Sequence, residues 1–238
     1  MSDTTVTAFL PLLPETSDAS LCRQISIEVL FNGYSHVEDS TGDVIANCTS
    51  TLIRGRKFNV LVDTMTAWDR EKLLNALLPM TPNDIHYVVC THGHSDHVGN
   101  NNLFLDAIHI VGFSMSCKDR YFNFSFDKGQ EFLIEPGIRV VPTPGHTATD
   151  VSVLVDTATH GCVAITGDLF EKEEDITDPS LWQNLGGSEQ PQLQQASRDR
   201  ILAIANYIVP GHGPMFKNPL KPHETSGATA EQTPGHSQ

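Results

Sequence analysis

Four side chains able to bind a metal ion fall within six residues of one another in THGHSDHVGN, 91–100: His92, His94, Asp96 and His97. His92 and His94 are two apart, so on an extended segment they leave the same face. Asp96 and His97 sit where a helix can begin and turn back towards the same point. Gly93 and Gly99 supply the backbone freedom that so tight a turn needs. A polar loop of unrelated residues is the plainer reading. Three histidines and an aspartate at this spacing, directly after an apolar run, weigh against it.

Three further donors occur in the same kind of place: His146 in TPGHT after GIRVVP, Asp168 in TGD after CVAI, and His212 in PGHG after YIV. Strand ends on one edge of a sandwich converge, so a shared cleft is expected. A single histidine in a glycine-rich turn is usually only a turn residue. Three such turns beside the main cluster shift the balance to metal. Imidazole and carboxylate donors suit zinc, and also iron or manganese. Seven donors exceed the roughly four of a structural zinc site and fit two ions sharing one carboxylate. Two close cations can acidify the water between them, so hydrolysis by a bridging hydroxide is the expected chemistry. Asp168 and Asp96 would orient that nucleophile. No general acid stands out.

The elements that must position these groups are legible in outline. Strand-like runs cover 25–31, 48–54, 58–64 and 85–91, and an amphipathic helix is expected from Ala67 to Leu78 with Trp68, Leu73, Leu74, Leu77 and Leu78 on its buried face. The polar stretch 33–47 suits a hairpin loop, and a short helix is expected from about Asp96 to about Leu105. The second half repeats the texture: AIHIVGF, an aromatic segment at 112–130, four strand-like runs, a helix over SEQPQLQQASRDRILAIA and a last strand in NYIVPGHG. Two halves, each of strands followed by helix, predict an α+β fold: a four-layer αββα sandwich. Residues 1–20 are expected to be a loose arm, 21–216 the single domain, and 217–238, which carry His223 and His236, a disordered tail.

Composition narrows the rest. A net charge of −14 over 238 residues weakens any idea of a broad basic surface for nucleic acid or anionic lipid. Five scattered cysteines with no C-x-x-C pair read as buried thiols in a reducing compartment. With no membrane-length apolar run and no basic leader, a soluble cytoplasmic or nuclear protein is expected. Phe122, Phe124 and Phe126 alternate, as one face of a strand packing into a satellite core would. Interleaved with Lys118, Arg120, Tyr121 and Lys128, they could instead stack bases and touch phosphates. The acidic run EKEEDITD, 171–178, reads as a solvated surface loop.

H-x-H-x-D-H followed by TPGH, GD and PGHG resembles the metallo-β-lactamase-fold superfamily over roughly residues 48–216. That resemblance implies His92, His94 and His146 on a first ion, Asp96, His97 and His212 on a second, and Asp168 bridging. True β-lactamases of the fold have a cysteine where Asp168 stands, which argues against antibiotic hydrolysis. Asp63 in LVDT matches a superfamily aspartate that supports the ligands from behind, although a strand-end turn explains it equally well. LVDT, WDR, TPGHTATDVSV, GDLFE, LWQNL, SRDRIL and VPGHGPMF together resemble an animal branch of the superfamily associated with endoribonuclease activity on histone pre-mRNA. That resemblance implies an RNA substrate and a homodimer. The alternative is a thioesterase or lactonase of the hydroxyacylglutathione-hydrolase kind, although too little chain follows His212 for the usual glutathione platform.

Overall fold

The structure is a computed structural model and describes residues 24–221. The expected arm, Cys22, His223 and His236 lie outside the described residues. The first sheet is built from β1 (Ser26–Phe31), β4 (Ser50–Arg54), β5 (Asn59–Val62), β6 (Tyr87–Cys90), β7 (Ile108–Val111), β8 (Ser114–Cys117) and β9 (Arg120–Phe122), in that spatial order. A separate hairpin pairs β2 (Tyr34–Val37) with β3 (Val44–Asn47). The second sheet runs β10 (Phe132–Glu135), β11 (Ile138–Pro142), β12 (Val151–Thr157), β13 (Gly161–Gly167), β14 (Tyr207–Pro210) and β15 (Phe216–Lys217). Helices α1 (Arg70–Leu77), α2 (Ser95–Val98) and α3 (Pro191–Ile204) complete the regular structure.

Alternation along the strands builds the layers. Val60, Val62 and Val89 face the central core with Ile138, Val140, Val153, Val163 and Ile165 of the other sheet. Their neighbours Leu61, Val88 and Cys90 face the opposite way and meet Leu73 and Leu77 of α1. Leu154, Ala164 and Ile208 turn from the second sheet to Ile201 and Ala205 at the end of α3. Each fully buried side chain of this size contributes about 1.5–3 kcal/mol, so a one-residue slip of register would lose a whole face of them. The expected four-layer sandwich is therefore present: helix, sheet, sheet, helix.

Some elements differ from expectation. Trp68 is 91% exposed and Leu78 65% exposed, so neither belongs to the buried face of α1. The chain from Ala67 to Asp69 is a 3₁₀ turn, whose three-residue period does not carry Trp68 onto the stripe set by Leu73 and Leu77. The aromatic segment contributes strands β8 and β9. Phe126 is buried, and Phe122 and Phe124 pack against the central core, so the three phenylalanines are structural and only Tyr121 projects. The order of the chain also continues past Phe216: Asn218, placed by expectation in the tail, is buried and its Nδ2 donates to the carbonyls of Leu202 and Ala205. It caps the end of α3, a task invisible to hydropathy. Among the described residues no helix is long and apolar enough to cross a membrane, and Cys48, Cys90, Cys117 and Cys162 form no disulfide.

What matters for the site is direction. β5 and β6 are parallel, and so are β13 and β14. β11 and β13 both run antiparallel to β12 and therefore parallel to each other. The segments after β5, β6, β11, β13 and β14 hence leave along one edge of the sandwich.

Candidate metal centre

All seven predicted donors meet at that edge. His92, His94, His146 and Asp168 offer one donor atom each within 4.8 Å of one another, and so do Asp96, His97 and His212. His94 Nδ1 lies 2.8 Å from His92 Nε2 and 3.1 Å from His146 Nε2. Asp168 Oδ2 lies 3.6 Å from His92 Nε2, 3.4 Å from His146 Nε2 and 3.2 Å from His212 Nε2. Its other oxygen, Oδ1, is 3.2 Å from His97 Nε2. Asp96 Oδ2 closes the second group at 3.7 Å from His97 Nε2 and 4.0 Å from His212 Nε2.

Two of the ligand rings, His97 and His212, are aimed from behind. Asp63 Oδ2 lies 3.0 Å from His97 Nδ1, while Oδ1 accepts the Thr91 N–H at 2.8 Å. Asp63 reaches this position with a positive φ of 58°, a conformation aspartate tolerates better than most residues. The Asn47 carbonyl lies 3.0 Å from His212 Nδ1 and accepts its proton, which leaves Nε2 for the cleft. Thr91 packs so closely under β13 that a side chain on Gly167 would meet its Oγ1 at 2.2 Å; the backbone at Gly167, with φ 52°, needs glycine for both reasons.

The arrangement fits a cation better than it fits a hydrogen-bond network. Neutral imidazoles facing one another across about 3 Å have too few protons for every nitrogen to find a partner. Burial, and next the neighbouring His97, push His92 well below its ordinary pKa; burial also lowers His146. Burial opposes charge on His97 and His212, but Asp168 together with Asp63 at the first and Glu171 at the second outweighs it, raising His97 well above the ordinary value and His212 to about 9. His97 Nε2 and Asp168 Oδ1, although close, make no hydrogen bond with anything. Metal–ligand bonds of about 2.1 Å place donors around one ion roughly 3–4 Å apart, the spacing found here. The residues therefore suit divalent cations, with Asp168 in the first group and beside His97 and His212 of the second.

The cleft has a volume of about 270 Å³. Val44 and Ala46 of the hairpin and Leu185 form its apolar wall, with Asp96, Glu171 and the histidines opposite. Among the described residues no lysine or arginine lines it. Glu171 and Asp175 correct the reading of 171–178 as a solvated loop: they are 3% and 1% exposed. Arg198 Nη2 lies 2.8 Å from Asp175 Oδ1, and the guanidinium stacks over the rings of Phe170 and Trp182. Glu173, Glu174, Thr177 and Asp178 of the run do face solvent. The acidic run hid its partner because Arg198 is 23 residues away in sequence.

A family profile described as the metallo-beta-lactamase superfamily matches residues 45–212. The Xenopus laevis protein named metallo-beta-lactamase domain-containing protein 1 is 44% identical over 197 residues, 81% of this chain and 81% of its own length. A solved structure from Thermotoga maritima, of a proposed metallo-beta-lactamase, is similar with TM-score 0.61 and 19% identity, covering 82% of this chain and 100% of that one. A structure of an N-acyl homoserine lactone hydrolase, with the product N-hexanoyl-L-homoserine at its catalytic metal center, is similar with TM-score 0.58 and 20% identity, covering 80% and 93%.

Proposed function

The chain belongs to the metallo-β-lactamase superfamily, and from that premise we propose that it is a hydrolase with two divalent-cation positions that cleaves phosphodiester bonds in RNA. The carrying observation for hydrolysis is the pair of adjacent donor groups, with Asp168 of the first lying 3.2 Å from His97 Nε2 and from His212 Nε2 of the second. His92, His94 and His146 would hold one cation, Asp96, His97 and His212 the other. Zinc suits the histidine-rich group, with iron or manganese as alternatives. When bound, such cations lower the pKa of water and polarise the oxygen under attack. The chain supplies aim. Asp63 and the Asn47 carbonyl fix His97 and His212, and the Asp168 carboxylate holds both groups to one spacing. Asp96, 16% exposed on its side chain, is placed to accept a hydrogen bond from an incoming water, and of the seven donors only His94 is more open to solvent.

RNA as the substrate rests on the resemblance of LWQNL, SRDRIL and the other non-metal motifs to the animal branch. A second reading, hydrolysis of a small ester, thioester or lactone, is favoured by the cleft itself. Among the described residues it has no cation in its lining to neutralise phosphates, and its space of about 270 Å³ is small beside the roughly 300–1,000 Å³ of ligand sites. Arg198 of SRDRIL is also 3% exposed and committed to Asp175, so that residue builds the frame. The deciding experiment compares cleavage of single-stranded RNA with hydrolysis of a glutathione thioester and an acyl lactone, in wild type and in Asp168→Ala. RNA cleavage lost in the variant supports the first reading. RNA cleavage that persists in it marks a contaminating nuclease, and ester turnover without RNA cleavage replaces the first reading with the second.

A further inference from the structure

Glu171 is a carboxylate that the seven-donor arrangement leaves unused. Its backbone is tied at both ends: its N–H donates to Asp175 Oδ2 at 2.7 Å, and its carbonyl accepts the His212 N–H at 2.8 Å. Held this way, the side chain lines the cleft while only 3% exposed. Oε2 lies 3.8 Å from His212 Nε2, too long for a hydrogen bond. Oε1 has no hydrogen-bond partner at all. One donor atom each from Asp168, Glu171 and His212 lies within 4.8 Å of the others. A desolvated carboxylate without a hydrogen-bond donor is unfavourable unless a cation or a proton meets it. Its separation from His212 is within the roughly 3–4 Å expected of two ligands on one ion.

We propose that Glu171 is an additional ligand of the ion held by Asp96, His97 and His212, and that this makes the two positions select different metals. The inference rests on the metal-hydrolase reading above. Counting Asp168 for both, the first position has three imidazoles and one carboxylate, and the second two imidazoles and three carboxylates. The oxygen-rich set shifts preference towards manganese or magnesium, and the imidazole-rich set retains zinc. The fold makes room for this: a Cβ on Gly186 would meet Glu171 Oε1 at 2.3 Å, so the glycine is what lets the carboxylate sit against the cleft.

The test uses full-length protein stripped with a chelator and titrated with Zn²⁺ or Mn²⁺, with bound metal per chain counted by elemental analysis. Wild type, Glu171→Gln and Gly186→Ala are compared, and circular dichroism checks their folding. Gly186 has φ −70°, so alanine fits its backbone and acts only by displacing the carboxylate. Both variants are expected to keep the first zinc equivalent and to weaken the second equivalent by about 10–100-fold, with manganese losing more than zinc. Equal second-equivalent affinity in folded Glu171→Gln overturns the ligand assignment and leaves the hydrolase reading intact. If Glu171→Gln does not fold, unchanged affinity in Gly186→Ala overturns it instead. Fewer than one equivalent on wild type overturns both readings.

Discussion

The partner of a histidine's second nitrogen fixes which nitrogen faces a metal, and that explains two of the buried polar groups behind this site. Asp63 behind His97 is the clearest instance. In Asp63→Asn the amide can still accept the Thr91 N–H, but its NH₂ would face His97 Nδ1 and drive the ring proton onto Nε2, where the metal should be. Metal affinity is expected to fall about 10–100-fold, measured by competition with a chromophoric chelator, with little change in the fold because asparagine also tolerates positive φ. His86 shows the same logic far from the site. Its Nδ1 accepts the Asn59 N–H at 3.1 Å, and burial holds its pKa below the ordinary value of 6.5. A proton on Nδ1 would end that bond, so the unfolded chain binds protons more readily than the folded one as pH falls through 6.5. The contribution of His86 is therefore fully present above that value and lost below it. His86→Asn keeps an acceptor without titrating. Urea unfolding at about pH 7 and about pH 5 should show a smaller acid loss in the variant than in wild type.

At the scale of elements, the segment between β13 and α3 carries more than its sequence shows. Arg198 Nη1 donates to the Leu169 carbonyl at 2.7 Å and Nη2 to the Asp175 carbonyl at 3.1 Å, besides the ion pair with Asp175. One side chain of α3 thus braces the whole turn that carries Asp168 and Glu171. Arg198→Ala strands a buried carboxylate and should cost about 3–5 kcal/mol in urea unfolding. Replacing Arg198 and Asp175 together by apolar residues of similar size should recover much of that loss, which distinguishes a stranded charge from lost packing. The sequence could not display this brace, because a charge run looks the same whether it faces water or a distant arginine. It did display the ligand turns, because strand ends followed by Gly-His or Gly-Asp are local signals. Trp68 shows the converse: an aromatic at near-helical spacing looked buried until a 3₁₀ turn moved it off the stripe.

For the whole molecule, period-two alternation made the four layers legible, since Val60 and Val62 face one way and Leu61 the other. The layers then fix which loops meet. A site assembled from segments as distant as Asp63 and His212 exists only in the folded state, so metal binding and folding are linked. With free ion at about 100 times its Kd, each equivalent adds about 2.7 kcal/mol, and chelation should lower the Tm by at least roughly 5 °C in calorimetry. The spread of donors along the chain has a temporal side as well. His92, His94, Asp96 and His97 are synthesised together, before His146, Asp168 and His212 exist. A nascent chain therefore displays a histidine-rich turn with open coordination while its later partners are still to come. In that interval the Irving–Williams order rules, and copper outcompetes zinc. Denatured protein refolded in equal copper and zinc should carry more copper than folded, metal-free protein given the same mixture, as read by elemental analysis. The closing of the sandwich would then trap the ion taken up before it, and the history of a molecule, as much as its ligand set, would decide which ion it keeps.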